Sequence, residues 1–199
     1  MPRRRVRDKW RGKSWYTVLA PPYFGNAELG TVPADEPEKL IGRVIDSTLY
    51  EITNDFTHQY LKLYFQITDV DGKTARTTFK GHEYSRDYLR SLVRRRTTRI
   101  DGIFNVTTKD GYGLRVTGVV LTTYRCKTSQ KKAIRKIMMK ILTERAANMT
   151  LEEYVKAMIF GKLALEIMEQ AKKIYPIRKV EIYKSKLLTI PTPEGPKPA

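Results

Sequence analysis

The chain has 199 residues, enough for one large domain or two small ones with a well-buried core. Its 38 Lys and Arg against 21 Asp and Glu give a formal charge of +17 and a pI near 9.9, so a polyanionic partner is expected. The lone Cys126 excludes an intrachain disulfide and a cysteine-cluster metal site. No apolar run approaches the ~20 residues of a membrane span, and none of signal-peptide type stands near the N-terminus, so a reducing, cytoplasmic setting is expected.

The charge is focused rather than spread. Met1 to Lys13 holds seven basic residues and one acid, Arg86 to Arg99 six and one, and Lys127 to Lys140 six and none. The remainder holds nineteen of each sign and is neutral.

In chain order, residues 1–14 lack helical or strand periodicity and form a basic arm. Arg3, Arg4, Arg5, Arg7, Lys9, Arg11 and Lys13 would order on nucleic acid, with Trp10 and Trp15 able to stack on bases. Dense arginine favours this over a solvated tail, because guanidinium forks pair with phosphates and stack on planar groups. Residues 15–190 are expected as a single α+β domain and 191–199 as a disordered tail. Trp15 to Ala20 is a short strand stopped by Pro21-Pro22. Residues 21–38, with Gly25, Gly30, Pro33 and Pro37, read as a long loop. Leu40 to Ile52 is β-rich, with a bulge expected at Gly42. Tyr60–Val70 and Lys73–Phe79 form a hairpin about Asp71-Gly72.

A short helix follows, capped by Ser85, with Tyr88, Leu89, Leu92 and Val93 at helical spacing. Between Arg99 and Cys126 two β-branched, Thr-rich strands fold about Asp110-Gly111. This second hairpin carries a cationic run at each end of its sequence: Arg94, Arg95, Arg96 and Arg99 before it, Lys131, Lys132, Arg135, Lys136 and Lys140 after it. Thr128 or Ser129 caps the next helix, whose apolar stripe is Ile134, Ile137, Met138, Ile141 and Leu142. Lys132, Lys136 and Lys140 line the opposite face, with Arg135 beside them. Charged helix faces commonly mix signs for i,i+4 pairing, and this one does not. Asn148 ends the helix in the left-handed region, and Thr150-Leu-Glu-Glu153 is a capping box opening a second long helix to about Lys173. Ile177–Ile190 alternates as a final strand.

The sequence holds no recognisable catalytic constellation. His58 and His82 lack the spacing of zinc ligands. Asp69-Val-Asp71-Gly72 starts like a calcium loop yet lacks the glutamate that closes it, and a hairpin turn accounts for it. Gly111-Tyr-Gly113 is followed by no helix N-terminus that could cradle phosphate. No enzyme activity, metal or cofactor is expected.

Asp8-Lys-Trp-Arg-Gly-Lys-Ser-Trp-Tyr16, Pro21-Pro22-Tyr-Phe-Gly25, Leu40-Ile-Gly-Arg-Val44 and the Arg94–Arg99 run, in that order along nearly the whole chain, resemble the S3Ae family of archaeal and eukaryotic small-subunit ribosomal proteins. Asp46, Thr48, Leu49 and Glu51-Ile52 stand where that family's signature has an acid, Ser or Cys, Leu and an acidic–Leu pair. The resemblance implies a structural constituent of the small ribosomal subunit, on the platform near the messenger exit and the 3′ region of its RNA. It also implies neighbouring small-subunit proteins as partners, with messenger RNA or initiation factors nearby. The short C-terminal tail suits an archaeal member.

The fold expected is α+β: a largely antiparallel sheet, open or curled into a barrel, flanked by two long α-helices and preceded by an extended basic N-terminal arm. The role expected is to bind ribosomal RNA through the basic residues named above, with no membrane involved. Two alternatives stand beside it: a free-standing RNA- or DNA-binding regulator, and a metal-assisted nuclease using His58, His82, Asp69 and Asp71.

Overall fold

The computed structural model describes residue 10, residues 12–191 and residues 197–198. Alternating apolar residues make eight strands: β1 Ser14–Leu19, β2 Glu28–Ala34, β3 Val44–Thr48, β4 Leu61–Asp71, β5 Thr74–Tyr84, β6 Arg99–Thr107, β7 Gly113–Thr122 and β8 Ile177–Ile190. The α-helices are α1 Leu49–Thr53, α2 Arg86–Leu92, α3 Thr128–Asn148, α4 Leu151–Ile159 and α5 Lys162–Lys172. Lys197 and Pro198 pair with Ile190 and Thr189 of β8. The described residues gather into two compact units, one of residues 12–59 and 63–80, the other of residues 60–62 and 81 onward, so that β4 and β5 are shared out between them.

In the first unit the strand order is β2-β1-β5-β4-β3, with β1 parallel to β5 and antiparallel to β2. Its core gathers Tyr16, Val18, Ala34, Leu40, Ile67 and Ala75. Residues 28–34, expected as loop, are therefore a strand. Gly30, at φ +135°, sits at a bulge opposite Val18–Leu19, and Pro33 lacks an N–H to give, which an edge strand tolerates. The β-rich run from Leu40 also ends sooner than its composition suggests. Thr48 and Glu51 form a capping box that turns the chain into α1, and Asn54 in the left-handed region closes it.

In the second unit the order is β5-β8-β7-β6, all antiparallel. Each unit's order has two free ends among the described residues, so the strands do not close into the barrel that was expected. Helix α3 packs on β6 through buried Ile134, Met138, Ile141 and Leu142. Gly102 and Gly118, register partners across β6 and β7, make room for it: a Cβ on Gly118 would stand 2.8 Å from the Met138 Cε. The second long helix expected over 150–173 is two helices instead. The capping box at Thr150 and Glu153 forms as read, but Gly161, at φ +76°, breaks the helix into α4 and α5. Nor do Asn148, Thr128 and Ser129 act as read: α3 runs through Asn148 to an extended Met149, and Lys127 occupies its N-cap position.

The Asp110-Gly111 turn spans Thr108 to Tyr112, and Asp110 has a second task. Its carboxylate accepts the Leu151 amide of α4 at 3.0 Å, tying the hairpin tip to a helix start. His82 is buried between β5 and β8. Its Nε2 donates to the Ile182 carbonyl at 2.8 Å, and the Ser185 hydroxyl donates to Nδ1 at 2.6 Å, a pattern that suits the neutral ring. Burial holds its pKa down at about 4, against the Ile182 hydrogen bond, which acts the other way.

Removing the Asp110 cap by Asp110→Ala is expected to cost about 1 kcal/mol, read as a lower denaturation midpoint, with Asp110→Asn losing less. The unfolded chain protonates His82 near 6.5 and the folded chain only near 4, so the unfolded state binds more protons between these values. Stability from this residue is full above pH 6.5 and is lost as pH falls, by about 3 kcal/mol at pH 4. Denaturation at stepped pH should show that slope, and His82→Gln should flatten it.

Candidate nucleic-acid interface

Antiparallel pairing decides where the two central basic runs meet. Arg99 opens β6 and faces Leu121 near the end of β7, so the flanks of the hairpin emerge together at the end away from Asp110. The runs expected at each end of the hairpin's sequence thus share one end of it in space. Two threonines stitch the flanks. The Thr98 amide donates to the buried Thr122 hydroxyl at 3.0 Å, and the Cys126 amide donates to the Thr98 hydroxyl at 3.2 Å. Two residues after Cys126, α3 begins.

Arg94, Arg95 and Arg96 lie on an exposed turn between α2 and β6. The Thr97 hydroxyl donates to the Arg94 carbonyl at 2.6 Å, and Arg96 takes φ +63°, a conformation costing a side-chain-bearing residue about 1 kcal/mol or more. Helix α2, which leads into this turn, is pinned to β8 by an aromatic and ionic cluster. The Tyr84 hydroxyl donates to Glu181 at 3.0 Å, and the Lys179 ammonium reaches the Tyr88 hydroxyl at 2.5 Å and Glu181 at 3.0 Å. Tyr60 stacks on Tyr88 with ring centroids 3.7 Å apart. Burial, and then the Glu181 charge, push the Tyr84 phenol well above its usual range, so it remains a donor. At the helix's far end Arg178 reaches the Leu92 carbonyl.

On α3 the basic side chains fall into two groups. Arg135 donates through Nε to the Asp101 carbonyl at 2.9 Å, covering a backbone acceptor on edge strand β6. Arg99, a few ångströms along that strand, pairs with the Asp101 carboxylate at 2.9 Å and lies over the Tyr183 ring. Lys140 has Glu144 at 3.8 Å, so the row read as single-signed ends on an acid. Lys132 and Lys136 are exposed and Lys131 half-buried. These three, with Arg94, Arg95 and Arg96, have no acid within ion-pair distance among the described residues.

Arg3, Arg4, Arg5, Arg7, Lys9 and Arg11 lie outside the described residues. Trp10 and Lys13 belong to the first unit, where the Lys13 ammonium sits 4.0 Å above the Trp10 ring. Lys127, at the N-cap of α3 and exposed, extends the cluster beyond the residues singled out from sequence. Its signal was its place in the third basic run. The Tyr60–Tyr88–Lys179–Glu181 support had no sequence signal, since its members are scattered over some 120 positions of an alternating pattern.

The residues considered for metal-assisted cleavage are otherwise engaged. His82 is sequestered as described, Asp69 accepts the Val70 amide, and Asp71 faces Arg76 at 3.7 Å. Among the described residues no three His, Cys, Asp or Glu side chains converge as metal ligands. No described helix is long and apolar enough to cross a membrane.

The profile of the Ribosomal S3Ae family matches residues 2–191. The chain is 63% identical over 202 residues to the small ribosomal subunit protein eS1 of Staphylothermus marinus, covering 100% of this chain and 95% of that one. It is 56% identical over 203 residues to the protein of the same name from Aeropyrum pernix, with the same coverage. To that of Saccharolobus islandicus it is 49% identical over 186 residues, covering 94% of this chain and 89% of the other. With nearly its whole length matched at such identity, the chain belongs to the Ribosomal S3Ae family.

Proposed function

We propose that this chain is a structural constituent of the small ribosomal subunit that binds ribosomal RNA through its clustered arginines and lysines. The observation that carries the reading is the meeting of two cationic groups that pair with no acid among the described residues, Arg94–Arg96 and Lys131, Lys132 and Lys136, at one end of the β6–β7 hairpin. A solvated surface gains nothing from assembling like charges there. A folded polyanion does, because each phosphate neutralised releases condensed counterions. Arg94, Arg95, Arg96, Lys131, Lys132 and Lys136 act as phosphate contacts, while Arg99, Arg135 and Lys140 combine that role with pairing to Asp101 and Glu144. Arg3, Arg4, Arg5, Arg7, Lys9, Arg11 and Lys13, with Trp10, extend the grip as an arm.

RNA is favoured over DNA by the family and by the lack of a helix-turn-helix or other duplex-reading element among the described residues. The names of the archaeal relatives support a place in the small subunit, and the family resemblance supports a site on the platform near the messenger exit. Neighbouring small-subunit proteins are its partners there, with messenger RNA and initiation factors close by, in the cytoplasm. The role is architectural: positioned charge, with no bond made or broken.

Filter binding to small-subunit RNA at rising salt is expected to give a log–log slope of about −7 or steeper if some ten phosphates are met. A flat response overturns the reading. Lys132→Glu with Lys136→Glu should spare the circular dichroism spectrum and block incorporation into subunits on sucrose gradients. Lys140 is left alone because Glu144 already partners it. Arg96→Asn separates folding from binding: asparagine accepts the left-handed conformation, so the melting temperature should hold or rise, while the salt slope falls by about 1.

A further inference from the structure

The net charge of +17 conceals an opposite region. It spans residues 35–58, whose sequence holds six acids, Asp35, Glu36, Glu38, Asp46, Glu51 and Asp55, and two cations, Lys39 and Arg43. An RNA surface is repelled by such a stretch, so the phosphate-binding reading leaves it without a role.

The same stretch exposes an apolar face. Phe56 is 67% and Tyr50 40% exposed, and their rings meet edge to face at 5.7 Å between centroids. The pair is held out by rigid local structure rather than by a loose loop. Tyr50 lies in α1, fixed by the Thr48–Glu51 capping box at one end and Asn54 at the other. Phe56 opens the turn that Asp55 caps by accepting the Thr57 amide at 3.0 Å. The carboxylates of Glu51 and Asp55 thus flank the rings in sequence and belong to the same two turns. The Thr57 hydroxyl and then its amide hold the Asp55 carboxyl below the usual carboxylate range.

We infer that the Tyr50–Phe56 face, with Glu51 and Asp55, docks an arginine- or lysine-rich segment of another protein. Charge complementarity selects this occupant. The electron-rich ring faces attract a guanidinium or ammonium, and the aliphatic stem of Arg or Lys covers the apolar surface that Phe56 leaves in water. The two carboxylates then pair the charged head. A nucleic-acid base could stack on the same rings, but its phosphates would meet the acids. The inference goes beyond ribosomal RNA binding, since it gives residues 35–58 a protein partner.

The test replaces Phe56 in the full chain by the photocrosslinker p-benzoylphenylalanine, irradiates cells, and maps the adducts by mass spectrometry. A protein adduct on a segment of net positive charge is expected. Its yield should fall at least about threefold when Glu51→Gln and Asp55→Asn are added, because both keep the hydrogen-bond acceptors and remove the charge that exposed pairing needs. Adducts on RNA, adducts on neutral or acidic segments, no adduct, or a yield indifferent to the charge variants would each overturn it. Sedimentation of the same chain with small subunits reports separately on the ribosomal reading.

Discussion

The antiparallel ladder between β6 and β7 is the constraint on which the basic surface depends. It forces two cationic runs some thirty residues apart to leave the sheet together, and the Thr98 and Thr122 bonds hold them there. Such an arrangement opposes folding, but weakly. Two exposed like charges at close range repel by about 1 kcal/mol in water, and less with salt present. Against that, Ile134, Met138, Ile141 and Leu142 of α3 are all buried, each contributing on the order of 1.5–3 kcal/mol. The packing wins by a wide margin, which leaves the exposed face of α3 free to carry charge the fold does not need.

Not every basic residue is spare. Arg135 covers an edge carbonyl, Arg99 closes on Asp101, and Arg145 joins α3 to α5 through Glu166 at 2.8 Å. These arginines use a fork that lysine lacks, binding the structure with one nitrogen while others remain available. The unpaired set is mostly lysine on α3 and arginine on the turn before β6. A lysine needs no fixed geometry to neutralise a phosphate, whereas a turn arginine, short of helical support, gains from a planar head. The division follows from what each side chain must do besides carry charge.

Much of this was legible because it is local. Both hairpins, β8 and the capping box at Thr150 and Glu153 follow from period-two alternation, turn residues and short-range side-chain bonds. The misses have equally definite causes. Thr48 and Glu51 carry the same capping signature as Thr150 and Glu153, but β-branched residues before them extended the strand reading too far. β2 was hidden by Gly30 and Pro33, which only an edge and a bulge accommodate. Gly161 stood inside a helical pattern whose apolar residues continue without interruption on both sides, and only its positive φ reveals the break. The meeting of the basic runs could be argued from the hairpin, yet the Tyr60–Tyr88 and Glu181 brace that steadies α2 depends on strand neighbours that no local pattern names.

The strongest sign of purpose in the basic region lies where sequence and fold disagree. Arg96 sits in a conformation suited to glycine or asparagine. Helix α3 begins with Lys127, Lys131 and Lys132 and has no acid in its first turn, although the positive end of a helix dipole favours carboxylates there. In α4, by contrast, Glu152 and Glu153 occupy the first turn as the dipole prefers. The chain therefore follows the rule at α4 and departs from it at α3, and also at α5, which opens on Lys162 with no acid in its first turn. The departures at Arg96 and at the start of α3 each cost the isolated protein on the order of 1 kcal/mol, and both add positive potential at one end of the β6–β7 hairpin. The polyanion proposed above would turn the departures at Arg96 and at the start of α3 from penalties into contacts.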